Sequence, residues 1–262
     1  MKLKGLKTLF ILLTLFCFSC TSYKNIPYFQ DINTNGVTKE DINNYSPLII
    51  QPGDIIGLFV TSANPEASAV FNFNLNRQNG ENADRSPQNA VIGYLVDSKG
   101  IVRIPLLGEI KVAGYNTSDL TAILQTKLQP YLTTPIVNVR IMNFKVSVLG
   151  DVSRPDVYTI PNERVTIPEA LSLAGDLNIT GVRNNILLIR EIAGKREFIP
   201  IDLNSKTLFE SPYYYLKNND VLYVTPNKEK VAASSTGFQK VSLVIAALSV
   251  VAIAISSSHI KL

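Results

Sequence analysis

Apolar positions along this chain recur at two spacings, and each spacing predicts a different kind of element. The fragment Pro135-Ile136-Val137-Asn138-Val139-Arg140-Ile141 alternates apolar and polar residues, the period of a strand with one buried face. Leu48-Ile49-Ile50 and Ile55 to Val60 read as two strands joined at Gln51-Pro52-Gly53-Asp54, where Pro and Gly in succession mark a turn. Tyr94 to Asp97 and Ile101 to Pro105 flank Ser98-Lys99-Gly100, which predicts a hairpin. Further turns follow at Leu107-Gly108-Glu109 and Ala113-Gly114-Tyr115. The period then changes to that of a helix: Leu120, Ile123, Leu124 and Leu128 share one side, and Thr117 or Ser118 can cap it.

A second set of elements begins at Lys145, with a strand to Val152 and a helix from Pro168 that stops at Gly175. Residues 185–190 and 197–201 read as paired strands around Ala193-Gly194-Lys195, and Leu216 to Val224 ends the unit. The stretches IIQPGDIIGLFV and YYLKNNDVLYV echo one another, each a strand, an Asp-bearing turn and a strand. The echo is either an internal duplication or two similar hairpins. Tyr213-Tyr214-Tyr215 reads as part of a strand with alternate rings on opposite faces, although sugars also stack on such rings. The fold class is α+β and mainly β.

The ends of the chain are different. Lys2, Lys4 and Lys7 precede an apolar run from Leu9 to Phe18, the layout of a signal peptide over residues 1–19. Phe18-Ser19-Cys20 resembles a lipobox, which makes Cys20 the expected lipidation site and residues 20–46, rich in Asn, Asp and Thr, a tether, either free or packed in part on the body. Residues 241–255 carry no charge and predict a membrane-spanning helix within an oligomer, as part of a C-terminal segment 228–262. Ser242, Ser249 and Ser256 recur every seven residues along it, a stripe that would line a pore or a helix interface.

Chemistry changes this picture little. Cys17 and Cys20 form a C-x-x-C, but Cys17 falls in the removed segment and Cys20 would carry lipid, so the fold rests on packing rather than a disulfide. Of 25 Lys and Arg against 21 Asp and Glu, three lysines leave with the signal peptide, so the mature chain is near neutral and nucleic acid is no expected partner. The one His, His259, lies in the tail, and no P-loop, G-x-S-x-G or H-E-x-x-H occurs. No catalytic residue, metal site or cofactor is expected.

The order QPGDII, YLVDSKGIVRIPLLGEIKVAGYNTSDLTAILQTKLQPYL, PIVNVRI resembles the polysaccharide biosynthesis/export domain of Wza-type outer-membrane export proteins, over residues 47–144. Pro52, Gly53, Asp54, Asp97, Gly100, Pro105, Gly108 and Gly114 carry the match. Lys145 to Val152, with Gly150, Pro155 and Tyr158, is similar to the start of an SLBB domain, a β-grasp-like module, here over 145–227. Asp156 and Asn219 stand where that family prefers Gly; both residue types tolerate left-handed turns. The resemblance implies a homo-oligomeric ring at the outer membrane, lipid-anchored with its body in the periplasm. The ring would export capsular polysaccharide or exopolysaccharide with an inner-membrane copolymerase, often a tyrosine autokinase, as partner. The alternative is a periplasm-facing carbohydrate-binding or scaffolding lipoprotein. The polar stretch 72–88 reads as a gating or partner loop, or as disordered.

Overall fold

A computed structural model describes residues 26–72, 93–192, 194–234 and 242–250. The first unit contains β1 (Ile55–Thr61), a short helix α1 (Pro65–Ala69), β2 (Tyr94–Leu95), β3 (Ile101–Ile104), β4 (Gly108–Lys111), α2 (Thr117–Leu128) and β5 (Ile136–Ile141). β1 lies between β2 and β5, antiparallel to both, while β3 and β4 form a separate hairpin. β5 alternates exposed and buried residues as its sequence predicts, and Val137, Val139 and Ile141 turn inward. α2 packs on it, with Leu120, Leu124 and Leu128 buried. Each fully buried Leu contributes about 2 kcal/mol through the area removed from water.

Three sequence expectations change here. Residues 94–97 and 101–105 do not form a ladder; β2 joins β1, and β3 pairs with β4. Alternation tells which face is buried but not which strand lies alongside. Leu48-Ile49-Ile50 makes a single bridge, Ile49 to Asn116, instead of a strand. The cap of α2 is Asn116, whose side chain accepts from the Asp119 amide at 2.8 Å. Asn72 does similar work at the sheet: its buried amide accepts from the Val60 N–H at 2.8 Å and donates to the Val60 carbonyl at 2.7 Å, on the side where β2 has ended. Residues 73–88 of the stretch read as a loop lie outside the described residues.

The second unit has β6 (Lys145–Gly150), β7 (Asp156–Thr159), α3 (Ile167–Leu173), β8 (Ile186–Ile192), β9 (Lys195–Ile201), β10 (Val221–Val224) and α4 (Lys228–Ala233). Its sheet order is β7-β6-β10-β8-β9, with β6 and β10 parallel at the centre and the other pairs antiparallel. First and last strands side by side, with a hairpin on each flank, is the β-grasp arrangement. A parallel pair requires a long crossover, and the chain places α3 within it. Thr166 and Glu169 cap α3 reciprocally, and Ile167, Ala170 and Leu171 are buried in the core that also holds Val146, Val148, Leu188 and Leu222, with α3 packed on β6.

The expected tether is docked over its described part. The Phe29 and Gln30 amides donate to the Leu203 and Asn204 carbonyls at 2.9 and 2.7 Å. Asp31 accepts from Ser205 and the Lys206 amide, and the Asn44 side chain reaches the Phe209 and Ser211 carbonyls. Residues 26–46 thus strap across the second unit.

The C-terminal membrane-spanning helix is not supported. Among the described residues no helix is long and apolar enough to cross a membrane. Residues 242–250 are helical; at 1.5 Å per residue they rise roughly 14 Å, about half of a hydrocarbon core. The fold class of the described residues is therefore α+β with one antiparallel and one mixed main sheet, and no membrane-spanning helix among them. The Ser249 hydroxyl donates to the Ala246 carbonyl at 2.8 Å, within its own helix, and Ser256 lies outside the described residues.

Candidate functional site

The two Asp-bearing turns that echo in the sequence meet in space. In Gln51-Pro52-Gly53-Asp54 the Gln51 amide donates to Asp54 Oδ2 at 2.8 Å, and the Asp54 amide to the Gln51 carbonyl at 3.1 Å. In Lys217-Asn218-Asn219-Asp220 the equivalent distances are 2.7 and 3.2 Å. The third residue is left-handed in each, Gly53 at φ +90° and Asn219 at φ +66°. Asn accepts that region at modest cost, so the departure from Gly leaves the turn intact. Asn218 Nδ2 then donates to Asp54 Oδ1 at 2.6 Å, joining one turn to the other.

The connector between the units is held by both turns. Asn143 donates to the Gly53 carbonyl at 3.0 Å and accepts from the Ile55 amide at 2.8 Å. Two residues on, the Lys145 amide donates to Asn218 Oδ1 at 3.1 Å, and the Asn219 amide to the Lys145 carbonyl at 2.9 Å. Asp54 is only 3% exposed, and burial pushes its carboxyl up despite the hydrogen bonds from Gln51 and Asn218. Asp220 has a different neighbour. Arg190 meets it in a buried pair, with side chains 2% and 1% exposed, Nη2 to Oδ2 at 2.6 Å and Nε to Oδ1 at 2.9 Å, and Nη2 also donates to the Tyr215 carbonyl.

Beside this junction runs a groove of about 570 Å³ between the start of α2, β5 and Pro161-Asn162-Glu163. Thr117 Oγ1 donates to Glu163 Oε2 at 2.6 Å, a second tie between the units. Among the described residues β5 is the edge strand of its sheet, so the groove follows a ladder beside which no further strand is described.

The other motif residues shape further turns, and two of these lie against the first: Val96, beside Asp97, exchanges backbone hydrogen bonds with Gly53 and Asp54, and the Gly114 amide donates to the Ile50 carbonyl. Asp97 Oδ1 accepts from the Lys99 and Ile101 amides, both at 2.9 Å, and the Ile101 bond leads in holding its carboxyl below the usual range. Gly100, Gly108 and Gly114 each have positive φ, and Pro105 opens the β3–β4 turn. A Cβ on Gly150 would lie 2.0 Å from the Val224 carbonyl oxygen, so only Gly lets β10 approach the end of β6. Pro155 precedes β7, and Asp156 opens that strand without a left-handed backbone. Tyr213, Tyr214 and Tyr215 form no strand; they pack irregularly, with Tyr214 against Phe209 and Tyr215, and Tyr215 against Tyr45. Cys20 lies outside the described residues.

Sequence reasoning missed Asp151. It is buried and accepts from Asn178 at 2.7 Å, from Thr180 at 2.6 Å and from Lys230 of α4. Burial alone would raise its carboxyl, but the bonds from Lys230, Thr180 and Asn178 outweigh this and hold it low. Its position directly after Gly150 at a strand end was the available signal. Among the described residues no group of three His, Cys, Asp or Glu is placed to hold a metal ion.

Comparison with known proteins agrees with this two-part organisation. Residues 42–142 match the family described as polysaccharide biosynthesis/export protein, and residues 144–224 match the SLBB domain. The chain is also similar to two proteins called EPS I polysaccharide export outer membrane protein EpsA. The one from Ralstonia solanacearum is 25% identical over 142 residues, and the one from Ralstonia nicotianae 27% identical over 144. Each match covers 53% of this chain but only 37% of the relative.

Proposed function

This chain belongs to the polysaccharide biosynthesis/export proteins, with an SLBB domain following the export domain, and from that membership we propose that it serves exopolysaccharide export at the outer membrane. The observation that carries the reading is the succession of the two family matches, 42–142 then 144–224, on units locked through Asp54 and Asn218. The family is one of transport proteins rather than enzymes, in keeping with a sequence that offers no catalytic motif. In this reading Cys20 carries lipid, the body faces the periplasm, and copies of the chain associate around the polymer's path. An inner-membrane copolymerase hands the polymer over.

Exporting a finished polymer requires no bond to be made or broken by this subunit. It requires a fixed scaffold whose two units keep their relation while a long chain moves past, and the doubly held connector supports that role. Fractionating cells that express the full chain tests the anchoring and assembly. Wild type is expected in the outer-membrane fraction, labelled by fatty acid and cross-linked to further copies. Cys20→Ala is expected to lose both the label and the fractionation. A wild-type chain that takes no fatty acid, or that stays monomeric under cross-linking, contradicts that arrangement.

A further inference from the structure

Among the described residues, four of the side chains that line the groove between the two units leave their hydrogen-bonding capacity unused within the protein. Ser118 from the first turn of α2, Asn138 and Arg140 from β5, and Asn162 from the second unit all line it. None of these four side chains makes a hydrogen bond or ion pair within the chain, among the described residues. They bring hydroxyl, amide and guanidinium groups to one concave surface, so donors and acceptors are both on offer. The two charged lining residues, Arg140 and Glu163, have opposite sign. The groove thus has no strong field to select an ion, and hydrogen bonding sets its preference. At about 570 Å³ it falls in the size range of ligand sites.

From this we infer that the groove binds a segment of saccharide through its hydroxyl groups, a contact surface for the polymer itself; the inference rests on the export reading. A saccharide presents closely spaced hydroxyls that both donate and accept, which is what amides and guanidinium groups match. A polypeptide strand adding to the β5 edge fits less well. Asn138 and Arg140 alternate on the exposed face of that edge, and a charge on an edge strand discourages the pairing that an added strand would need. The interdomain tie from Thr117 to Glu163 keeps both walls in register without occupying the four free side chains.

The test uses the full chain in detergent and, as probe, oligosaccharides released from the surface polysaccharide of the same bacterium. Binding is expected to persist from low to high salt, because hydrogen bonds rather than net charge hold the ligand. Asn138→Ala and Arg140→Ala should each weaken it roughly tenfold, the loss of one or two hydrogen bonds. Both positions are exposed, so folding is expected to survive. Arg103→Ala in the β3–β4 hairpin serves as the unaffected control. Bound saccharide should also slow amide hydrogen exchange across residues 138–140. Wild type that does not bind, variants that bind as tightly as wild type, or a polypeptide captured at position 138 in place of sugar would each overturn the inference. Those outcomes leave the export reading standing; a gene deletion that leaves surface polymer intact overturns that reading instead.

Discussion

Asp54 and Asp220 hold equivalent places in two turns of one geometry, and their surroundings set them apart. Asp220 faces a buried guanidinium, so Asp220→Ala leaves Arg190 charged and unpaired. It should destabilise the protein by about 3–5 kcal/mol in urea unfolding. A loss below about 1 kcal/mol would show the pair to be incidental. Asp151 supplies a pH test whose sign can be worked through. Its folded pKa is lowered, so its contribution is present above the unfolded carboxyl value and is lost as pH falls through the lowered one. Lys230→Ala removes one of the bonds that lower it, so the acid loss of stability should begin at higher pH than in wild type, read from urea midpoints across acidic pH. Unchanged acid behaviour would contradict the assignment. At this scale the sequence exposed what local turn chemistry dictates: Pro52, Gly53, Asp54 and Asp97. It concealed Asn218 meeting Asp54 and Arg190 meeting Asp220, because 164 and 30 residues separate those partners and no local spacing encodes such contacts.

Elements were legible where periodicity is strong and less so where partners must be chosen. β5 and α2 followed their patterns, whereas β2 and β3 were read as one hairpin because a tight Asp97 turn joins them. Asn116, Thr117 and Ser118 are three successive residues able to cap α2. The bridge from Asn116 to Ile49 fixes its backbone as extended and leaves its side chain to cap. Asn116→Ala should cost about 1 kcal/mol, with Ser118→Ala nearly silent in the same thermal melts. That part of the tether can pack on the body was open from the sequence, but where 26–46 docks was not legible, because its anchors are backbone bonds and scattered aromatics, not a periodic face. Phe29 packs on Phe209 with ring centroids 4.8 Å apart. Phe29→Ala should release the strap, seen as faster hydrogen exchange of the amides at positions 29 and 30 with β6 and β10 unchanged. The apolar C-terminal run misled because low polarity does not by itself set helix length, and its described helical part, 242–250, is shorter than a bilayer needs.

For the whole molecule, two small units with separate sheets are joined by a connector that both Asp turns grip. The order of the units, and the turn residues that characterise each, were readable from the chain, since Gly, Pro and Asp are required where the backbone reverses. The groove was not readable, because its walls come from α2, β5 and a loop of the other unit, brought together only by folding. The central claim, export across the outer membrane, is tested most directly by deleting the gene and measuring polysaccharide on the cell surface and in the periplasm, with wild-type complementation. Loss of surface polymer with periplasmic retention, reversed by the wild-type chain, is the predicted result; surface polymer at normal levels in the deletion strain would contradict the account.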